Sequence, residues 1–213
     1  MIRKRRLLID TDTASDDAVA LITALRSPEI EVLGITVVAG NVAVEQATRN
    51  ALYTTELCGV EVPVFRGAAE PFVRRLEIAD WFHGVDGLGD HGYGPVIRKA
   101  ETDYAPSAMA QMIRANPGIE LITLGPLTNL ALSLSSDPSL SEKISRCVVM
   151  GGPPCCEGNV TPAAEFNIWV DPEAARVVFR SGIPIEMIGW QLSRGAAVLN
   201  ENDIAALVQL GTP

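Results

Sequence analysis

Short apolar runs that end in acidic or glycine-containing turns alternate along this chain with stretches whose apolar residues recur at helical spacing, and few folds accommodate that pattern. Residues 7–9 (Leu-Leu-Ile) read as a strand and residues 18–25 as a helix stopped by Ser27-Pro28. A β-branched strand over 31–38, a turn at Ala39-Gly40-Asn41, a helix over 44–57 and a short strand over 62–65 continue the series. After an interruption it resumes with a helix over 106–115, a strand over 120–124 and a helix from Leu127. A strand over 147–150, a helix over 172–181, a strand over 185–188 and a helix over 202–210 follow. Strands of buried type separated by helices predict an α/β fold with a doubly wound, mainly parallel sheet of Rossmann-like form and right-handed crossovers.

The interruption, residues 67–102, is Gly-rich and contains Trp81-Phe82-His83-Gly84-Val85-Asp86-Gly87-Leu88-Gly89-Asp90-His91. A long irregular insertion in a compact domain is more often functional than idle. No repeat, linker or composition shift divides the 213 residues, so a single domain over 1–213 is the simplest expectation.

A chain that is 47% hydrophobic and 20% charged can bury an ordinary core. Its net charge of −9 would repel a phosphate backbone, which argues against a nucleic-acid partner. The basic run Arg3-Lys4-Arg5-Arg6 reads as a solvated lead-in to the first strand. No apolar stretch approaches the ~18 residues of a membrane span, and the charged start lacks a signal peptide's apolar region. A soluble, cytoplasmic protein is expected. Cys58, Cys147, Cys155 and Cys156 form no CxxC pattern, so reduced thiols are favoured over zinc or a disulfide framework. The adjacent pair lies in a Gly/Pro-rich loop, where a reactive thiol would have no His base nearby in sequence.

Asp10, Asp12, Asp16 and Asp17 crowd the carboxyl end of the first strand, where open parallel sheets bind ligands. Carboxylates so placed repel one another, and a hard cation removes the conflict. Oxygen ligands without His or Cys favour Ca²⁺ or Mg²⁺ over zinc, and a larger, flexible shell with bidentate carboxylates favours Ca²⁺. Capping of the following helix would explain Asp16 and Asp17 alone, leaving Asp10 and Asp12 unaccounted for. A second reading starts from Asp10-Thr11-Asp12, which suits the DxDx[TV] nucleophile motif of haloacid dehalogenase-like phosphatases. Ala14 stands where that motif has Thr or Val, and Asp16-Asp17 have no role in it.

The run Asp10-Thr11-Asp12-Thr13-Ala14-Ser15-Asp16-Asp17-Ala18 resembles the DxDxxxDDA signature of the inosine-uridine preferring nucleoside hydrolases. In the same order follow Ala39-Gly40-Asn41, the segment His83 to Gly89, Gly125-Pro126-Leu127-Thr128-Asn129-Leu130-Ala131, Glu165-Phe166-Asn167 and Asp171-Pro172-Glu173-Ala174-Ala175. The resemblance runs from Leu7 to about Gly189. It implies hydrolysis of the N-glycosidic bond of a ribonucleoside through an oxocarbenium-like state. It further implies that Asp12, Asp17 and the backbone carbonyl of Leu124 bind Ca²⁺, which holds a water and the ribose hydroxyls. Asp12 takes the proton from that water, and a carboxylate of ordinary pKa suffices when the water is acidified by the metal. Asp16 accepts from a ribose hydroxyl while Asp10 supports from behind.

Asn41, Asn159, Glu165 and Asn167 match the positions that bind the remaining sugar hydroxyls. From the residues alone, Asn41 and Asn159 adjoin Gly and suit turns, whereas Glu165 and Asn167 read as alternating along an extended segment toward a shared ligand. His83 would lie over the base, although a lone His in a Gly-rich loop is ordinarily a surface residue. Trp81, Phe82 and Trp169 could stack on a base, yet such aromatics are more often packing residues. Thr13-Ala14 replaces the usual Pro-Gly without removing a ligand.

The resemblance also implies a homodimer or homotetramer, and roughly another hundred residues, still within one α/β domain, carrying an Asp that completes the metal shell. No counterpart of it precedes Pro213, so the C-terminal part of the fold is expected to be missing and Ca²⁺ to bind weakly. Three functions compete: a nucleoside hydrolase, a non-catalytic relative that binds a nucleoside or ribose, and a phosphatase using Asp10.

Overall fold

A computed structural model describes residues 4–211, so Arg3 of the basic run and Pro213 lie outside the described residues. The elements are β1 (Arg5–Thr11), α1 (Ser15–Arg26), β2 (Ile30–Val37), α2 (Val44–Cys58), β3 (Val64–Arg66), α3 (Asp80–His83), α4 (Ala105–Ala115) and β4 (Ile119–Thr123). They continue with α5 (Thr128–Ser136), a 3₁₀ turn (Pro138–Lys143), β5 (Ile144–Met150), α6 (Phe166–Val170), α7 (Pro172–Phe179), β6 (Ile185–Ile188) and α8 (Glu201–Gln209).

The six strands form one sheet in the order β3-β2-β1-β4-β5-β6, and every pairing is parallel. Side chains alternate across the sheet as the pleat demands. Leu7 and Ile9 enter a core with Ile35, Val37 and Val64 beneath α1 and α2. Leu8, Leu121 and Val149 enter the opposite core beneath α4, α5 and α7. Helices on both faces are the doubly wound arrangement that the alternation predicts. The order in which strands are added reverses between β1 and β4, and the crevice at such a switch point, outside the strands' carboxyl ends, is where these sheets bind ligands.

The structure departs from expectation in three places. Arg5 and Arg6 belong to β1 and do not lead into it: Arg5, still exposed, opens the strand and pairs with Glu120, while Arg6 donates to Asn116 Oδ1 at 2.9 Å. Glu165 and Asn167 do not alternate on an extended segment, because Glu165 caps the helix α6 that contains Asn167. The interruption contains α3 and a loop knitted by its own carboxylates. Asp90 accepts from the amides of Val85 and Asp86, and Asp86 Oδ1 accepts from those of Leu88 and Asp90. Gly87 there has φ +74, and a Cβ on it would meet Val42 and Asn50 at 2.9 and 3.0 Å, so the turn needs glycine for conformation and space. Among the described residues no helix is long and apolar enough to cross a membrane.

Candidate active site

β1 is buried on both faces to its end, and it therefore carries Asp10 and Asp12 into the interior as the switch point opens. Asp10 is 1% exposed. Its Oδ1 accepts from Thr36 Oγ1 at 2.6 Å and Asn129 Nδ2 at 2.8 Å, and its Oδ2 has no partner. Burial pushes its pKa up to about 7 against those two bonds. Access also disposes of the phosphatase reading, since a nucleophile must reach a phosphoryl group and this carboxylate is walled in.

Asp12 lies between the turn after β2 and the turn after β4. Its Oδ2 accepts the Asn41 amide at 2.6 Å, while Oδ1 is buried with no partner. A Cβ on Gly40 would sit 2.2 Å from Oδ2, and one on Gly125 would sit 2.5 Å from Oδ1. The glycines of two of the quoted motifs thus make room for one carboxylate. Burial raises Asp12 to about 7, opposed by the Asn41 amide and reinforced by the Asp16 and Glu165 charges.

Asp17 is buried in the first turn of α1, and its Oδ2 accepts the Ala14 amide at 2.9 Å. It does act as a helix-capping group, but its second oxygen is not used by that bond. Burial first, then the Asp12 and Asp16 charges, push its pKa well up. Asp16 is exposed at the mouth. Leu124 follows β4, its amide bonded to the Asp10 carbonyl at 2.8 Å. Its own carbonyl accepts Asn167 Nδ2 at 2.7 Å, which leaves a second lone pair.

Among the described residues no group of three or more His, Cys, Asp or Glu side chains is placed to hold a metal ion. What converges is two buried carboxylates, one with an unpartnered oxygen, plus a carbonyl. That all-oxygen, anion-rich set fits a hard divalent cation as part of its shell.

The other expected residues are arranged differently. Asn41 is buried and its backbone serves Asp12, while its carbonyl accepts the Ala79 amide at 2.8 Å. Glu165, 1% exposed, spends both oxygens on the amides of Asn167, Gly152 and Ile168, and burial raises its pKa. Asn167 Nδ2 also reaches the Met150 carbonyl at 3.2 Å. Asn159 is exposed, and its Oδ1 accepts from the Phe166 amide seven residues on at 2.9 Å, which ties the loop to the start of α6. His83 ends α3, with Nδ1 3.1 Å from Ser15 Oγ, and burial lowers its pKa against the pull of Asp16. Trp81 and Phe82 beside it are exposed.

Sequence reasoning gave Asn129 no role, yet its amide donates to Asp10 and to the Val37 carbonyl while its Oδ1 accepts from Ala68. The available signal was a polar residue flanked by Leu127, Leu130 and Ala131, on the face of α5 that packs into the core.

A profile of the family described as inosine-uridine preferring nucleoside hydrolase matches residues 7–213. The pyrimidine-specific ribonucleoside hydrolase RihB of Escherichia coli is 39% identical over 213 residues, which are 100% of this chain and 67% of that protein. Uridine nucleosidase 1 of Arabidopsis thaliana is 41% identical over 208 residues, 96% of this chain and 62% of that one. The solved purine-preferring ribonucleoside hydrolase of Gardnerella vaginalis superposes with a TM-score of 0.83 at 38% identity, covering 87% of this chain and 60% of that one. This chain therefore spans about three fifths to two thirds of the relatives it matches.

Proposed function

This chain belongs to the inosine-uridine preferring nucleoside hydrolase family, and from that premise we propose that its aspartate site hydrolyses the N-glycosidic bond of a ribonucleoside to ribose and free base. The observation that carries the reading is Asp12, a buried carboxylate with one oxygen anchored on the Asn41 amide and the other unpartnered. A base must be held in one orientation and keep a free lone pair.

We assign Asp12, Asp17 and the Leu124 carbonyl to Ca²⁺, which when bound would offset the carboxylate repulsion, orient sugar hydroxyls and acidify a neighbouring water. Asp12 takes a proton from the attacking water. The acidic site also favours the positive charge that develops on the ribose ring as the bond to the base breaks. Asp16, exposed at the mouth, accepts from a ribose hydroxyl, and Asn167 keeps its amide oxygen for the sugar. Asp10 and Asn129 hold the end of β1 in register. His83, fixed by Ser15, faces the base. Homo-oligomerisation and a reducing cytoplasmic setting complete the reading, the latter suited to exposed free thiols.

Incubation with inosine, uridine and a phosphomonoester, each with and without Ca²⁺, tests the reading by assaying reducing sugar and phosphate. It is run on this chain and on one extended to the relatives' length. Ca²⁺-dependent release of sugar is expected. Release of phosphate would restore the phosphatase reading, and saturable nucleoside binding without sugar release from the extended chain would mark a non-catalytic relative. Ribonucleosides should outrun 2′-deoxyribonucleosides, because a missing hydroxyl leaves polar groups unpaired at ~1 to 3 kcal/mol each. Equal turnover of inosine and 2′-deoxyinosine would contradict the assigned sugar contacts.

A further inference from the structure

The four cysteines fall into two environments. Cys58 and Cys147 are buried, and burial pushes the Cys147 thiol up to about 12, which keeps it protonated and inert. Cys155 is exposed and Cys156 half-buried, side by side in the loop between β5 and α6. Cys155 has φ +64, a left-handed backbone conformation that non-glycine residues seldom adopt. Arg194 approaches from the other side of the loop: its guanidinium bonds Oε2 of Glu157, the residue next to Cys156, at 3.1 Å and so lies near that thiol. Partial exposure beside a guanidinium is the setting in which a thiol becomes a nucleophile. None of these groups takes part in the proposed hydrolysis.

We propose that Cys155 and Cys156 form a thiol–disulfide exchange site that is reversibly oxidised by low-molecular-weight disulfides of the glutathione class. Cys156, as thiolate, attacks one sulfur of the external disulfide. A new S–S bond forms, the old one breaks, and one small thiolate leaves with the electron pair and takes up the proton that Cys156 released. Cys155 then attacks the Cys156 sulfur of the mixed disulfide, closing a bond between the neighbours and expelling the second small thiol. Two protein thiols and one small disulfide thus become one protein disulfide and two small thiols.

The product is strained. Consecutive Cα atoms stand about 3.8 Å apart across a trans peptide, short of the roughly 4.4 to 6.8 Å that relaxed disulfides span. Such a bond is readily reduced, which suits a reversible modification and not a structural staple. The strain must be absorbed in the loop, whose Gly152 amide donates to Glu165 Oε2 at 2.8 Å.

The test incubates the native full chain with oxidised glutathione, follows intact mass, and maps peptides after alkylation. The peptide carrying Cys155 and Cys156 should lose two hydrogen atoms and regain them with dithiothreitol, while Cys58 and Cys147 remain alkylatable. Cys155→Ser should stop at a stable mixed disulfide on Cys156, and Cys156→Ser should react about tenfold more slowly than the parent. Arg194→Ala should slow the first step several-fold. The proposal is overturned if the pair reacts no faster than Cys58, if the parent protein accumulates the mixed disulfide without resolving it, or if Arg194→Ala reacts at the parent rate.

Discussion

Asp12 and Glu165 stand two strands apart on the same edge of the sheet, at 0% and 1% exposure, and the fold treats them in opposite ways. Glu165 receives three backbone amides, one on Oε1 and two on Oε2, so both of its buried oxygens are anchored to the start of α6 and the Gly152 turn. Asp12 receives one, has a bare oxygen and feels the charge of Asp16 and Glu165 as well. Burial of a carboxylate without a partner is costly, and folds retain it where a ligand completes the shell. One acid is anchored by the scaffold and the other keeps a bare oxygen, although as letters in the sequence both matched ligand positions equally well.

The largest expected effect comes from removing the charge and the bare acceptor of Asp12. Asp12→Asn should leave the fold intact and lower glycosidic hydrolysis by about a thousandfold or more, because the amide cannot accept the water's proton. Unfolding midpoints of parent and variant, measured beside inosine hydrolysis, check both halves, and near-parent turnover in the variant would remove Asp12 from its role.

Next in size is a pH dependence that runs against the usual one. Asp10 and Asp12 are raised to about 7 in the folded chain, whereas unfolded carboxylates ionise near 4. Between those values the folded state binds more protons, so their contribution to stability is full below ~4 and is lost as the pH climbs through ~7. Metal-free protein should melt at lower temperature at pH 8 than at pH 5.5. Added Ca²⁺ should recover more at pH 8, where the carboxylates are charged. A melting temperature that rises with pH and ignores Ca²⁺ would mean that these acids are not the strained element.

Glu165→Gln sharpens the contrast from the scaffold side. Gln offers one acceptor oxygen in place of two, leaving an amide of α6 or Gly152 unpaired, and a loss of ~1 to 3 kcal/mol is expected in urea unfolding. An unchanged midpoint would show that Glu165 is not a structural cap. The smallest effect belongs to Thr123, buried in β4 with no partner for its hydroxyl. Thr123→Val removes that unpaired group at nearly constant shape and should raise stability by ~1 kcal/mol without altering turnover. A loss of activity would instead place the hydroxyl in the site.

Much of this was written in the chain's local pattern. Apolar period and turn residues are decided within a few positions, and so they forecast the strands, the doubly wound sheet and the placing of Asp10 to Asp17 at the end of β1. The glycines at 40 and 125 were legible as motifs, though their reason was not. It lies in the strand order, which sets β1 between β2 and β4 and brings both turns against Asp12.

Sequence could not reveal which polar atoms would be spent. Asn129 reaches Asp10 across 119 residues, and Glu165 caps a helix, α6, where an extended segment was expected. A motif specifies residue types, but a carboxylate's chemistry depends on how many of its lone pairs are already answered. Only the tertiary structure, by choosing what packs beside each oxygen, decides that number.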